Sequence, residues 1–215
     1  MLIRPFDRIL FIGDSVTDVD RARPVGSGHG FGLGFGYPLL VNARLAVDYP
    51  EIDLDVINVG ISGNTTRDLL DRWKSDVTDL KPDIVSIMIG INDVWRQFDS
   101  PGRPSDHIDA KEYEENLKRL LELALADARE VLLLTPIFME QHQDDPMRAM
   151  TDAYADICRK LAKEDSRIHL VDTLEAFDQL FKTRHYMTLA PDRVHPNTTG
   201  HTLIADHVIK ALTKS

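Results

Sequence analysis

Arg8-Ile9-Leu10-Phe11-Ile12-Gly13-Asp14-Ser15-Val16 sets a short, almost wholly apolar run against an abrupt turn of small and polar residues. The run is too short for a helix and apolar on both alternating sides, so it reads as a strand buried on both faces. Such strands build parallel sheets, and the turns at their carboxyl ends collect functional groups. Working outward, comparable runs recur at 54–59 (LDVINV), 84–89 (IVSIMI), 131–134 (VLLL) and 168–171 (IHLV). Amphipathic segments at 38–48, 68–80, 111–128, 147–163, 174–181 and 199–212 separate or follow them, the last with Pro196 and Asn197 upstream as start signals. Strand–helix alternation with long crossovers predicts an α/β fold: a three-layer α/β/α sandwich around a flavodoxin-like, five-stranded parallel sheet with right-handed connections. No repeat, linker or break in composition divides the chain, so residues 1–215 are expected to form one domain.

The residues just after the first three strands are small and polar: Gly13-Asp14-Ser15-Val16, Gly60-Ile61-Ser62-Gly63-Asn64 and Gly90-Ile91-Asn92-Asp93. Ser15 sits in a glycine-containing turn that would expose its hydroxyl at the sheet edge. A serine hydroxyl attacks poorly unless a base takes its proton. His195, in Asp192-Arg193-Val194-His195-Pro196-Asn197, is the candidate base. An aspartate three residues before a histidine can hold the ring's Nδ1–H and leave Nε2 free to face the serine. The attacked carbonyl then needs donors aimed at its growing negative charge, and the N–H groups of Ser15 and Gly63 with the Asn92 amide fit that need. Asp93 reads instead as a helix cap, and Asp14 as support for the turn with substrate contact as the lesser option. Trp95 could stack on a sugar ring. Arg96 could hold a hydroxyl-rich or anionic substituent, and Tyr186 is a weaker candidate for the pocket wall.

These four blocks, in this order, resemble the SGNH (GDSL-type) hydrolase superfamily along essentially the whole chain. Val16 stands where the family name has leucine, at a position that packs rather than reacts. The longer strings Gly13-Asp14-Ser15-Val16-Thr17-Asp18 with Arg21-Ala22-Arg23, Met88-Ile89-Gly90-Ile91-Asn92-Asp93-Val94-Trp95-Arg96-Gln97 and Asp145-Pro146-Met147-Arg148 resemble the intracellular acetylxylan esterases of that superfamily. The resemblance implies a serine carbohydrate esterase that removes O-acetyl groups from xylose units of short oligosaccharides, needs no metal or cofactor, and forms a homo-oligomer. A thioesterase or lysophospholipase built on the same three residues is the alternative, and a hydrophobic channel for a long acyl chain would favour it. A non-catalytic binding module is more remote, because such a chain is expected to lack one of the three residues.

Composition narrows the partners. With 25 Lys and Arg against 35 Asp and Glu, the net charge of −10 repels phosphate backbones and anionic headgroups, so neither nucleic acid nor membrane is an expected partner. The lone Cys158 excludes an intramolecular disulfide and reads as a buried thiol. The first residues, Met1-Leu2-Ile3-Arg4-Pro5-Phe6-Asp7, are too charged for a signal peptide, and a cytoplasmic location is expected. His201 and His207 are six apart, on different helix faces, and His29, His107, His142, His169 and His185 share no ligand spacing, so no metal site is expected. The segment 26–36 holds six of the twelve glycines but fits no register of Gly-x-Gly-x-x-Gly; it reads as a loop at the site mouth or a contact between subunits.

Overall fold

The computed structural model describes residues 1–28 and 31–214. The opening run forms β1 (Arg8–Gly13), the hub of the sheet. On one side it pairs in parallel with β3 (Asp55–Asn58), Leu10 beside Ile57, and on the other with β4 (Ile84–Met88), Leu10 beside Val85. Beyond β4 lie β5 (Glu130–Leu134) and β6 (Ile168–Val171), both parallel. These five strands take the expected flavodoxin-like order. A sixth strand was not anticipated: β2, only Gly26–Ser27, runs antiparallel along β3 at the sheet edge. It comes from the glycine-rich segment, whose lack of side chains hides any strand pattern. His29 and Gly30 lie outside the described residues.

Two-sided burial of β1 follows from strand geometry, which sends successive side chains to opposite faces. Leu10 and Ile12 join one core with α3 (Thr66–Asp76), α4 (Ile91–Asp99), α5 (Ala110–Asp127) and α6 (Pro146–Leu161). Ile9 and Phe11 join a second core with α2 (Tyr37–Asp48), α7 (Thr173–Phe181) and α8 (Thr198–Thr213). A four-residue helix, α1 (Ser15–Asp18), follows β1 directly. The segment expected as one helix over 68–80 is α3 plus a separate 3₁₀ turn at Thr78–Leu80, broken at Val77. Thr65 and Asp68 cap α3 reciprocally, which moves its start ahead of the expected one.

Because the chain runs from β1 to β3 on one side and to β4 on the other, the strand order reverses at β1. The connections leave in opposite directions and open a crevice at the carboxyl ends. The turns after β1, β3 and β4 meet there.

Candidate active site

Gly13 ends β1 where a Cβ would collide with the Met88 carbonyl and the Thr17 hydroxyl, so the chain can turn tightly here only without a side chain. Asp14 caps α1, its carboxylate accepting from Val16 N–H at 2.9 Å. Ser15 is the first residue of that helix, and its own N–H therefore has no partner within the helix.

The turn after β3 is braced from three sides. Buried Asn58 donates through Nδ2 to the carbonyls of Thr17 (2.7 Å) and Leu33 (2.9 Å), and its Oδ1 accepts from Gly60 N–H. Asp18 accepts from both the N–H (3.0 Å) and the hydroxyl (2.9 Å) of Ser62, and pairs with Arg23 at 2.6 Å. Arg72 reaches up from α3 to Asn64 Oδ1 (2.7 Å) and to the carbonyls of Val59 (2.7 Å) and Gly13 (3.1 Å). Gly63 sits within this frame at φ 85°, in the left-handed region that side chains disfavour, with open space around it.

After β4 the chain enters α4 through Gly90. Asn92 donates one Nδ2–H to the Asn64 carbonyl at 2.9 Å, which fixes the amide and leaves its second N–H for another acceptor. Asp93 is fully buried and accepts from Thr66 N–H (3.1 Å) and Thr66 Oγ1 (2.5 Å), so it caps the first turn of α3 rather than its own helix. Burial pushes its carboxyl up to about 6, against the lowering from Thr66. Burial likewise pushes Asp14 up to about 7; Val16 N–H opposes the shift and Asp93 adds to it.

The loop before α8 closes the site. Asp192 Oδ1 accepts from the N–H groups of Val194 (3.1 Å) and His195 (3.0 Å), while Oδ2 lies 2.6 Å from His195 Nδ1. Burial pushes Asp192 up, but these N–H donors and the imidazole outweigh it and hold its carboxyl below the ordinary value. An ionised carboxylate only accepts, so Nδ1 carries the ring proton and Nε2 is the acceptor for Ser15 Oγ, 2.9 Å away. Arg193 takes φ 65° between the two, held by its carbonyl bond to Met139 N–H (2.8 Å) and its ion pair with Glu140 (2.8 Å). Asn197, not Asp192, caps α8 through Thr199 N–H (3.0 Å).

The fold thus brings Ser15, Asp192 and His195 into one hydrogen-bonded line, and sets Asn92 against the Gly63 turn. The Trp95 ring lies 6.0 Å from the His195 ring, centroid to centroid. Arg96 stacks over Trp95 at 5.2 Å and pairs with Asp99 at 2.8 Å. Asp14 is only 1% exposed, beneath the turn rather than at its surface. Tyr186 packs on His185, ring centroids 4.5 Å apart. The sequence assigns no role to Asp18, Arg72 or Arg193. Asp18, three residues after Ser15, was in view, whereas Arg72 acts across a distance in sequence that leaves no local trace. Cys158 is buried against the Tyr113 hydroxyl, and burial lifts its thiol to about 12. Among the described residues, no three His, Cys, Asp or Glu side chains converge as a metal site. Among the described residues, no helix is long and apolar enough to cross a membrane. A larger depression of about 600 Å³ lies between α7 and α8, lined by Ala176, Leu180 and His207, and shares no residue with this cluster.

Residues 11–203 match the GDSL-like lipase/acylhydrolase family. An acetylxylan esterase of Geobacillus stearothermophilus is 45% identical over 205 residues, covering 95% of this chain and 93% of the relative. The crystal structure of Axe2, an acetylxylan esterase from that organism, superposes with a TM-score of 0.96 at 43% identity, over 100% of this chain and 98% of the other. A catalytic mutant of Axe2, a serine replaced by alanine, superposes equally well, with TM-score 0.96, 43% identity and the same coverage of 100% and 98%.

Proposed function

Because the chain belongs to the GDSL-like lipase/acylhydrolase family, we propose that it is a serine esterase that removes O-acetyl groups from acetylated xylooligosaccharides through an acetyl-enzyme on Ser15. The observation that carries this is the line from Ser15 Oγ to His195 Nε2 (2.9 Å) and from His195 Nδ1 to Asp192 (2.6 Å). The substrate comes from likeness to the Geobacillus acetylxylan esterase, with 45% identity over nearly the full chain.

Ser15 Oγ attacks the acetyl carbonyl as His195 Nε2 takes its proton. The tetrahedral oxyanion accepts from the N–H groups of Ser15 and Gly63 and from the second Nδ2–H of Asn92. Collapse breaks the bond to the sugar oxygen, which leaves with the proton now on His195. Water then gives a proton to the same histidine, attacks the acetyl-enzyme and releases acetate, and Ser15 regains its proton. Asp192 stays ionised throughout and stabilises the imidazolium.

The rest of the proposal is one domain in the cytoplasm, working as a homo-oligomer. The buried lone cysteine suits a reducing compartment, and Phe35 and Met187, exposed at 72% and 58%, suit subunit contacts. Light scattering on the purified chain tests the last point. The function is tested by rates on p-nitrophenyl esters from acetate to long chains, beside acetate release from acetylated xylooligosaccharides. A maximum at acetate with acetate release supports the esterase; a maximum at long chains moves the function to thioester or lysophospholipid hydrolysis.

A further inference from the structure

We propose that the depression of about 260 Å³ between Trp95 and Arg193 binds the sugar ring that carries the scissile acetyl group. This rests on the carbohydrate-ester function above and names the site that would make it selective. The chemistry fixes the side of approach. His195 protonates the leaving oxygen, so the alcohol half of the ester lies on the histidine side of Ser15. Trp95 connects the two places, since its ring contacts the His195 ring at 6.0 Å and also forms a wall of the depression. Arg193, two residues before His195 on the same loop, forms another wall.

The walls carry what a pyranose presents. Trp95 and Phe98 offer apolar faces to its C–H surface, while Asp99, Asp145 and Arg193 offer acceptors and donors to its hydroxyls. Arg193 is engaged through Nη1, with Glu140 at 2.8 Å and Asp145 at 3.2 Å. Its Nε and Nη2 hydrogens have no acceptor among the described residues. Asp99 is engaged at one oxygen, by Arg96 at 2.8 Å. Each charge already has an opposite partner, so the depression suits an uncharged, hydroxyl-rich ligand rather than an anion. It is also rigid before binding. Arg96 lies over the Trp95 ring, Asp145 caps α6 through Met147 N–H (2.9 Å) and Arg148 N–H (3.1 Å), and Arg193 lies over the Phe138 ring at 4.9 Å. Preorganised walls lower the cost of ordering a ligand. At about 260 Å³ the space is below the ~300–1,000 Å³ of pockets for larger ligands, and it fits one ring.

The test compares kcat/KM on an acetylated xylooligosaccharide with kcat/KM on ethyl acetate, which has the same acyl group and no ring. It uses the wild type, Trp95→Ala, Phe98→Ala and Asp99→Asn, each checked for native circular dichroism. Wild type should prefer the sugar ester, and each variant should lower the sugar-to-ethyl ratio by about tenfold or more. Deacetylated xylobiose should inhibit ethyl acetate hydrolysis competitively in wild type and more weakly in the variants. Phe98 is exposed and at the rim, so its variant remains informative should Trp95→Ala fail to fold. A wild-type preference that survives in all folded variants overturns the site while leaving the esterase function standing. No wild-type preference for the sugar ester overturns the carbohydrate function itself, and the site with it.

Discussion

Asp192 divides its work between two oxygens, one holding the backbone of its own loop and the other holding His195 Nδ1–H. Replacing it with alanine frees the imidazole to take the wrong tautomer. Asp192→Ala should lower kcat by roughly 10³–10⁴-fold, while circular dichroism stays near that of the wild type; near-normal turnover in the folded variant would remove Asp192 from the mechanism. Asp14 shows the opposite electrostatics. Its folded carboxyl is raised from about 3.8 to about 7, so the native state binds a proton that the unfolded state has released. The sign follows from linkage: stability is fully present below about 3.8 and falls as pH rises toward 7, where the buried group must ionise. Asp14→Asn keeps the acceptor for Val16 N–H and removes the titration. Its midpoint should fall less than the wild type's between pH 5 and pH 8, and parallel curves would contradict this. Ser15, His195 and Asp192 were legible in the sequence because each lies in a short polar motif at a strand or helix boundary. Asp18 and Arg72 were harder, because what they hold is set only once three loops meet.

The turn carrying Gly63 has no regular hydrogen-bond ladder, so neighbouring elements keep its shape. Asp93 in α4 holds the first turn of α3 through Thr66, and Asn92 beside it holds Asn64. Asp93→Ala would strand the buried Thr66 N–H and hydroxyl, at about 1–3 kcal/mol each, and let the Gly63 turn drift from Asn92. The expected result is a drop in kcat larger than any change in KM, with lower stability in urea and partial recovery in Asp93→Asn. Equal loss in the Ala and Asn variants would mean that charge, not the hydrogen bonds, matters. The five parallel strands were readable because continuous apolar runs have few other homes. β2 escaped notice because two residues among glycines carry no period. α4 escaped because Gly90 enters it without a side-chain cap, and Asp93, which reads as a cap, lies within its first turn instead.

Across the whole molecule, the sheet buries β1 on both faces, and the turns after β1, β3 and β4 gather the site residues at its carboxyl end. The net charge of −10 makes this a poor host for anionic acyl donors and an indifferent one for neutral sugar esters. Raising ionic strength from low to physiological should therefore leave kcat/KM on an acetylated xylooligosaccharide nearly flat; a steep dependence would point to a charged substrate. Turnover rests on the proposed attack by Ser15, activated by His195, that forms the acetyl-enzyme. Its most direct test is kcat/KM for p-nitrophenyl acetate in Ser15→Ala beside wild type. The geometry predicts a loss of about 10⁴-fold or more in a natively folded variant, and activity surviving in Ser15→Ala would mean that another group attacks the ester.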